Sequence, residues 1–210
     1  MTVDPSRFAV ERVLRDGGSI HVRAIRPDDK PRLVEHFSQL SGRSVYFRFF
    51  RVKKHLTDAE LRQFTELDFR RNVALVATLR RDGAEAIVGV GRYAQLDVPA
   101  GAPARAEVAF AVADAYQGRG IASLLLELLA ALARAAGIEE LEADVLGENN
   151  TMLRVFAASG YRVRRALEEG VFHLTFPIEA TAATDAATHR RERAAAAAGV
   201  RVFLQPRSVA

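Results

Sequence analysis

The chain has 210 residues, 49% hydrophobic and 27% charged, with no cysteine. This is room for one domain and a remainder too small for a second. The lack of cysteine excludes disulfides, thiolate metal sites and a thiol nucleophile, and it fits a reducing, cytoplasmic setting. The net charge of +4 comes almost wholly from arginine, since Lys30, Lys53 and Lys54 are the only lysines. No run of five basic residues occurs, so a solvated arginine-rich surface explains the charge better than nucleic-acid binding.

Residues 1–18 read as a polar, peripheral extension. No apolar stretch is long enough to span a membrane, and no leader pattern is visible at the start. Residues 19–25 alternate as a strand, and Pro27-Asp28-Asp29 opens a helix carrying Leu33, Val34, Phe37 and Leu40. Residues 43–52 are aromatic and basic, with the length of a short helix. Thr57 to Glu60 form a capping box ahead of Leu61, Phe64 and Leu67. Strands follow at 72–80 and 86–96 around the Arg81-Asp82-Gly83 turn, then at 105–113, in the order of an antiparallel meander. An apolar helix over about 121–136 ends at Gly137, a strand covers 139–146, and a helix runs from Asn149 to Ser159. A hairpin of 161–165 and 171–176 closes the series. From 178 to 203 the chain turns alanine- and arginine-rich, as in a linker with helical potential and little core.

The chemistry concentrates at Gln117-Gly118-Arg119-Gly120-Ile121-Ala122, between a strand and a long helix. Two glycines permit a sharp turn and close backbone approach, and the helix start offers unpaired N–H groups and a positive dipole end. That combination suits a phosphate or pyrophosphate. No Gly-Lys-Ser/Thr triplet exists, which excludes a Walker A loop. Ser123 occupies the third glycine slot of a dinucleotide fingerprint, and the motif follows a meander rather than an early βαβ unit. Taken alone, Gly-x-Gly here also fits a plain tight helix start.

The flanking residues go further. Gln117-x-x-Gly120-x-Ala122 resembles the acyl-CoA signature of the GNAT superfamily of N-acetyltransferases, and Asn149-x-x-Met152 to Gly160-Tyr161 resembles its second CoA-contacting helix. Glu107-Val108-Ala109-Phe110, Asp114 to Gln117, and Tyr46-Phe47-Arg48-Phe49-Phe50 look like the bacterial Pat-type protein lysine acetyltransferases. The resemblance implies an α/β (α+β) GNAT fold over 19–177. Its mixed, mostly antiparallel central sheet would have about seven strands flanked by about four helices. It implies acetyl-CoA as cosubstrate, no metal, and a protein lysine, on an acyl-CoA synthetase, as acceptor.

A lysine amine is mostly protonated at neutral pH, so a general base is needed. Glu107 matches the glutamate used as base in Pat-like enzymes, and it is the only acidic residue between Asp97 and Asp114. Partial burial in an otherwise apolar strand would suit it to that task. The thioester carbonyl is expected against a backbone N–H from Phe110, Ala111 or Val112, and the pyrophosphate on N–H groups from Gln117 through Gly118, Arg119, Gly120 and Ile121 to Ala122. Asn149 and Phe156 mark the second CoA helix. Phe156 occupies the slot where many GNAT enzymes carry a tyrosine acid, so this helix has no proton to give the leaving thiolate. With no cysteine present, direct attack in a ternary complex is implied. The five histidines are scattered and form no His-x-x-x-His pair, so no metal site is expected.

Leu204 to Ala210 looks like the start of an NDP-forming acyl-CoA synthetase domain, so such a domain is expected to follow. Two other readings stay open on the sequence: acetylation of a small-molecule amine, and a non-catalytic module that senses acyl-CoA.

Overall fold

The structure is a computed structural model, and it describes residues 4–81 and 83–204. One sheet of eight strands, ordered β1-β2-β3-β4-β5-β6-β8-β7, organises it. The strands are β1 (Ala9–Val13), β2 (Ser19–Ala24), β3 (Asn72–Arg81), β4 (Ala84–Gln95), β5 (Arg105–Val112), β6 (Glu140–Leu146), β7 (Arg164–Glu168) and β8 (Val171–Pro177). Neighbours run antiparallel except β5 and β6, which are parallel.

Among the described residues, six helices accompany the sheet: α1 (Lys30–Ser38), α2 (Gly42–Phe49), α3 (Asp58–Thr65), α4 (Ile121–Ala135), α5 (Asn150–Ala158) and α6 (Ala182–Leu204). α3 starts where the capping box predicts: Glu60 N–H donates to the Thr57 hydroxyl and Thr57 N–H to the Glu60 carboxylate. α4 is apolar almost all round and carries nine buried residues, which is why it lies centrally on one face of β3–β5. Gly89 and Gly91 on β4 leave room for it, since a Cβ at either position would press on Ile121, Leu125 or Leu129. α1 and α3 cover the opposite face, over a smaller cluster of Ile25, Ala74, Val76 and Ile87.

One segment differs from the sequence reading. The stretch 1–18 supplies β1, an eighth strand at the sheet edge, and buries Leu14 in the main core. The tail after Pro177 continues into the 23-residue α6, tied by the Arg191 guanidinium to both oxygens of Glu127 on α4 at 3.0 and 3.1 Å. Among its residues 182–198, α6 otherwise buries chiefly Thr184 and Ala195. Residues 205–210, most of the segment read as opening a further domain, lie outside the described residues.

Candidate active site

The β5–β6 ladder is short. Only Arg105, Ala106 and Glu107 pair, with Glu140, Leu141 and Glu142. Beyond Glu107, β5 stays paired with β4 up to Val112 while β6 stays paired with β8 up to Leu146, so the two strands part and leave an opening. Hydrogen bonds fix which backbone groups face it. Leu96 N–H donates to the Arg105 carbonyl and Ala113 N–H to the Val88 carbonyl, so the odd-numbered residues of β5 bond to β4. The N–H groups of Phe110 and Val112 therefore point towards β6, while that of Ala111 is spent on β4. An acyl-CoA chain fits this gap as an added strand, with Phe110 and Val112 N–H available to a carbonyl oxygen.

A cavity of about 1130 Å³ occupies the opening. At one end lies the glycine loop. Gly118 and Gly120 have φ of 76° and 92°, which an L side chain resists, and Gly120 is the residue before α4. The first helical bond runs from Leu124 N–H to the Gly120 carbonyl, and no side chain caps the helix. The N–H groups of Ile121, Ala122 and Ser123 are thus left open for an anion.

The predicted residues take different parts. The Gln117 side-chain amide sits 3.1–3.2 Å from the Val112 carbonyl, the Ser44 hydroxyl and Asp114, and so fastens α2 to the loop. Burial opposes ionisation of Asp114, but hydroxyl bonds from Ser41 and Ser44 outweigh it and keep its pKa below the usual range. The Arg119 guanidinium turns away from the cavity to Asp16 in the β1–β2 turn and stacks on Tyr116 at 5.4 Å. Arg15 lines the cavity instead, its side chain 3.3 Å from where a Cβ on Gly120 would stand. Asn149 caps α5 by accepting from Met152 N–H at 3.1 Å, and it also borders the cavity. Phe156, only 1% exposed, packs between Phe110 and Phe176 at centroid distances of 6.3 and 5.6 Å.

Glu107 is exposed to the cavity rather than partly buried. On its side of the sheet stand Arg92, opposite Ala109 on β4, and Arg48 on α2. Burial, then repulsion from Arg92, push Arg48 down to about 10 against the attraction of Glu107. Burial likewise lowers Arg92. Sequence reasoning missed Arg15 and Arg92. The signal for Arg15 was present: Phe8, Val10 and Leu14 alternate ahead of Asp16-Gly17-Gly18, the pattern of a strand and its turn.

The profile of the Acetyltransferase (GNAT) family matches residues 42–161, more than half of the chain. The chain belongs to the GNAT acetyltransferase family. The GNAT domain of S. lividans PAT superposes with a TM-score of 0.73 at 44% identity, over 80% of this chain and 96% of that one. "Acetyltransferase PA5475" of Pseudomonas aeruginosa is 30% identical over 148 residues, 70% of this chain and 77% of the relative. "Acetyltransferase Pat" of Mycolicibacterium smegmatis is 32% identical over 147 residues, and the match covers 42% of that protein. The parted strands and the glycine loop both fall within the span that the GNAT profile matches. No described helix is long and apolar enough to cross a membrane.

Proposed function

We propose that this chain moves an acetyl group from acetyl-CoA to the side-chain amine of a protein lysine. The observation that carries this is the place of Glu107, on the last paired rung before β5 and β6 separate, three residues from the open N–H of Phe110. A base at that point lies beside the carbonyl it serves. The lysine Nζ gives a proton to Glu107 and attacks the thioester carbon. Phe110 or Val112 N–H holds the developing oxyanion, and the C–S bond breaks as the amide forms. The leaving sulfur takes its proton from solvent, since Phe156 has none to give.

A protein acceptor is supported by the rim around α2. Tyr46, Phe50 and Val52 are exposed there beside Arg43 and Arg51, a mix of apolar and cationic groups suited to a protein surface. The likeness to Pat adds weight. On the same reading the acceptor is an acyl-CoA synthetase and the enzyme works in the cytoplasm. The test is incubation of a purified acyl-CoA synthetase with this protein and acetyl-CoA, with mass spectrometry to find the modified lysine. Acetylation of free small amines in preference to any protein would reject the protein acceptor. Tight acetyl-CoA binding with no transfer at all would reject catalysis.

A further inference from the structure

Two guanidinium groups stand on the Glu107 side of the sheet with no carboxylate bound to them. Arg92 lies diagonal to Glu107 on one face of the β4–β5 ladder. Arg48 projects from α2 and lines the main cavity. Each stacks on an aromatic ring, Arg92 on Phe64 at 5.5 Å and Arg48 on Phe49 at 5.1 Å. Among the described residues, neither makes an ion pair within 4.0 Å or donates a side-chain hydrogen bond.

Both line a second, smaller cavity of about 50 Å³ between β4–β5 and helices α1 and α3. It shares Leu40, Arg48, Phe49, Ala109 and Ala111 with the main cavity and so adjoins the place where an acyl group would lie. His36 is a further wall, 2% exposed, with neither ring nitrogen in a well-formed hydrogen bond. The volume holds roughly three or four water-sized groups, the size of a carboxylate and a methylene or two. Two cations against the single charge of Glu107 leave a positive surplus. A guanidinium out of bulk water is best satisfied by a carboxylate, which matches its fork of donors.

We propose that this smaller cavity is a carboxylate-recognition subsite in which Arg48 and Arg92 receive an anionic group beside the reacting centre. The anion is carried either by the acyl chain of a dicarboxylic acyl-CoA or by an acidic side chain next to the acceptor lysine. This rests on the acyl-transfer reading above. An acetyl group alone has no charge to place there, so the subsite governs which donor or acceptor is preferred.

The test uses the full chain. Calorimetry compares succinyl-CoA with butyryl-CoA. Transfer from acetyl-CoA compares lysine peptides that differ only in Glu or Gln beside the lysine. A donor subsite binds succinyl-CoA about tenfold more tightly than butyryl-CoA. An acceptor subsite leaves the donors equal and favours the Glu peptides by about tenfold in rate. In either case Arg48→Met or Arg92→Met erases the ratio while Arg92→Lys keeps part of it. Reading a ratio guards against variants that merely fold less well. No charge preference in the parent protein, or one that survives both methionine substitutions, overturns the subsite and leaves acyl transfer standing. Failure to bind any acyl-CoA overturns both.

Discussion

Glu107 faces Glu142 across the last rung of the parallel β5–β6 ladder, and the sheet opens immediately beyond that pair. The base and the oxyanion donors thus come from one strand, at a spacing set by the strand's own repeat. Glu107→Gln keeps the size of the side chain and its place in the ladder but cannot take a proton. It is expected to lower kcat about 10²–10⁴-fold while the KM for acetyl-CoA changes little. Steady-state kinetics with a fixed acceptor checks this. An unchanged kcat would remove Glu107 from the proton path.

Arg15 and Arg119 predict opposite outcomes. Arg15 lines the cavity beside Gly120 and makes no ion pair within 4.0 Å among the described residues. Arg119 is committed to Asp16. A free cation beside open helix N–H groups is placed for a phosphate. Arg15→Ala should therefore raise the KM for acetyl-CoA about three- to tenfold with kcat preserved. Arg119→Ala should have a smaller effect on that KM, because its charge is already neutralised by Asp16. The reverse order would show that Arg119 swings into the site.

Much of the fold was legible because its signals are local. The capping box at Thr57, the apolar strands 72–80 and 86–96 and the apolar helix after Gly120 each announce themselves within a dozen residues. The glycine loop was legible for the same reason. Arg92 was not: it joins Glu107 only through the β4–β5 register, which no local pattern encodes. The helical potential of α6 was legible in its alanines, but its anchor was not. The contacts that hold it join residues 64 apart in the chain, Arg191 and Glu127.

His36 makes stability depend on pH. Burial holds its imidazole down to about 4, with the Ile87 carbonyl pulling only weakly the other way. The folded protein therefore favours neutral His36. Its contribution is fully present above the unfolded value of about 6.5 and is lost as pH falls towards 4, at most about 3 kcal/mol. Glu85 adds a second decline: its hydrogen bond from Arg23, foremost, holds it at about 2, so that contribution is lost between about 4.5 and 2. Urea unfolding from pH 7 to 3.5 should show the first loss, and His36→Leu should flatten it above pH 4.5. A pH dependence identical in both proteins would mean that His36 is not held neutral by the fold.

Gly160 meets α6 at its most constrained point. Its φ is 84°, and a Cβ there would stand 2.5 Å from the Ala183 carbonyl oxygen and 2.8 Å from its carbon, both backbone atoms that cannot swing aside. Gly118 also has positive φ, but a Cβ there meets nothing within 4 Å. Gly118→Ala should thus cost only the conformational penalty, about 1 kcal/mol. Gly160→Ala should cost about 2–4 kcal/mol, because strain and overlap add. The overlap also pushes the start of α6 away from α5, so Arg191→Ala should cost less in the Gly160→Ala background than in the parent. Thermal unfolding of the two single variants and the double variant measures that coupling. Strict additivity would show that α6 is held at Arg191 independently of its start, and equal costs at Gly118 and Gly160 would show that α6 does not pack against Gly160 in solution.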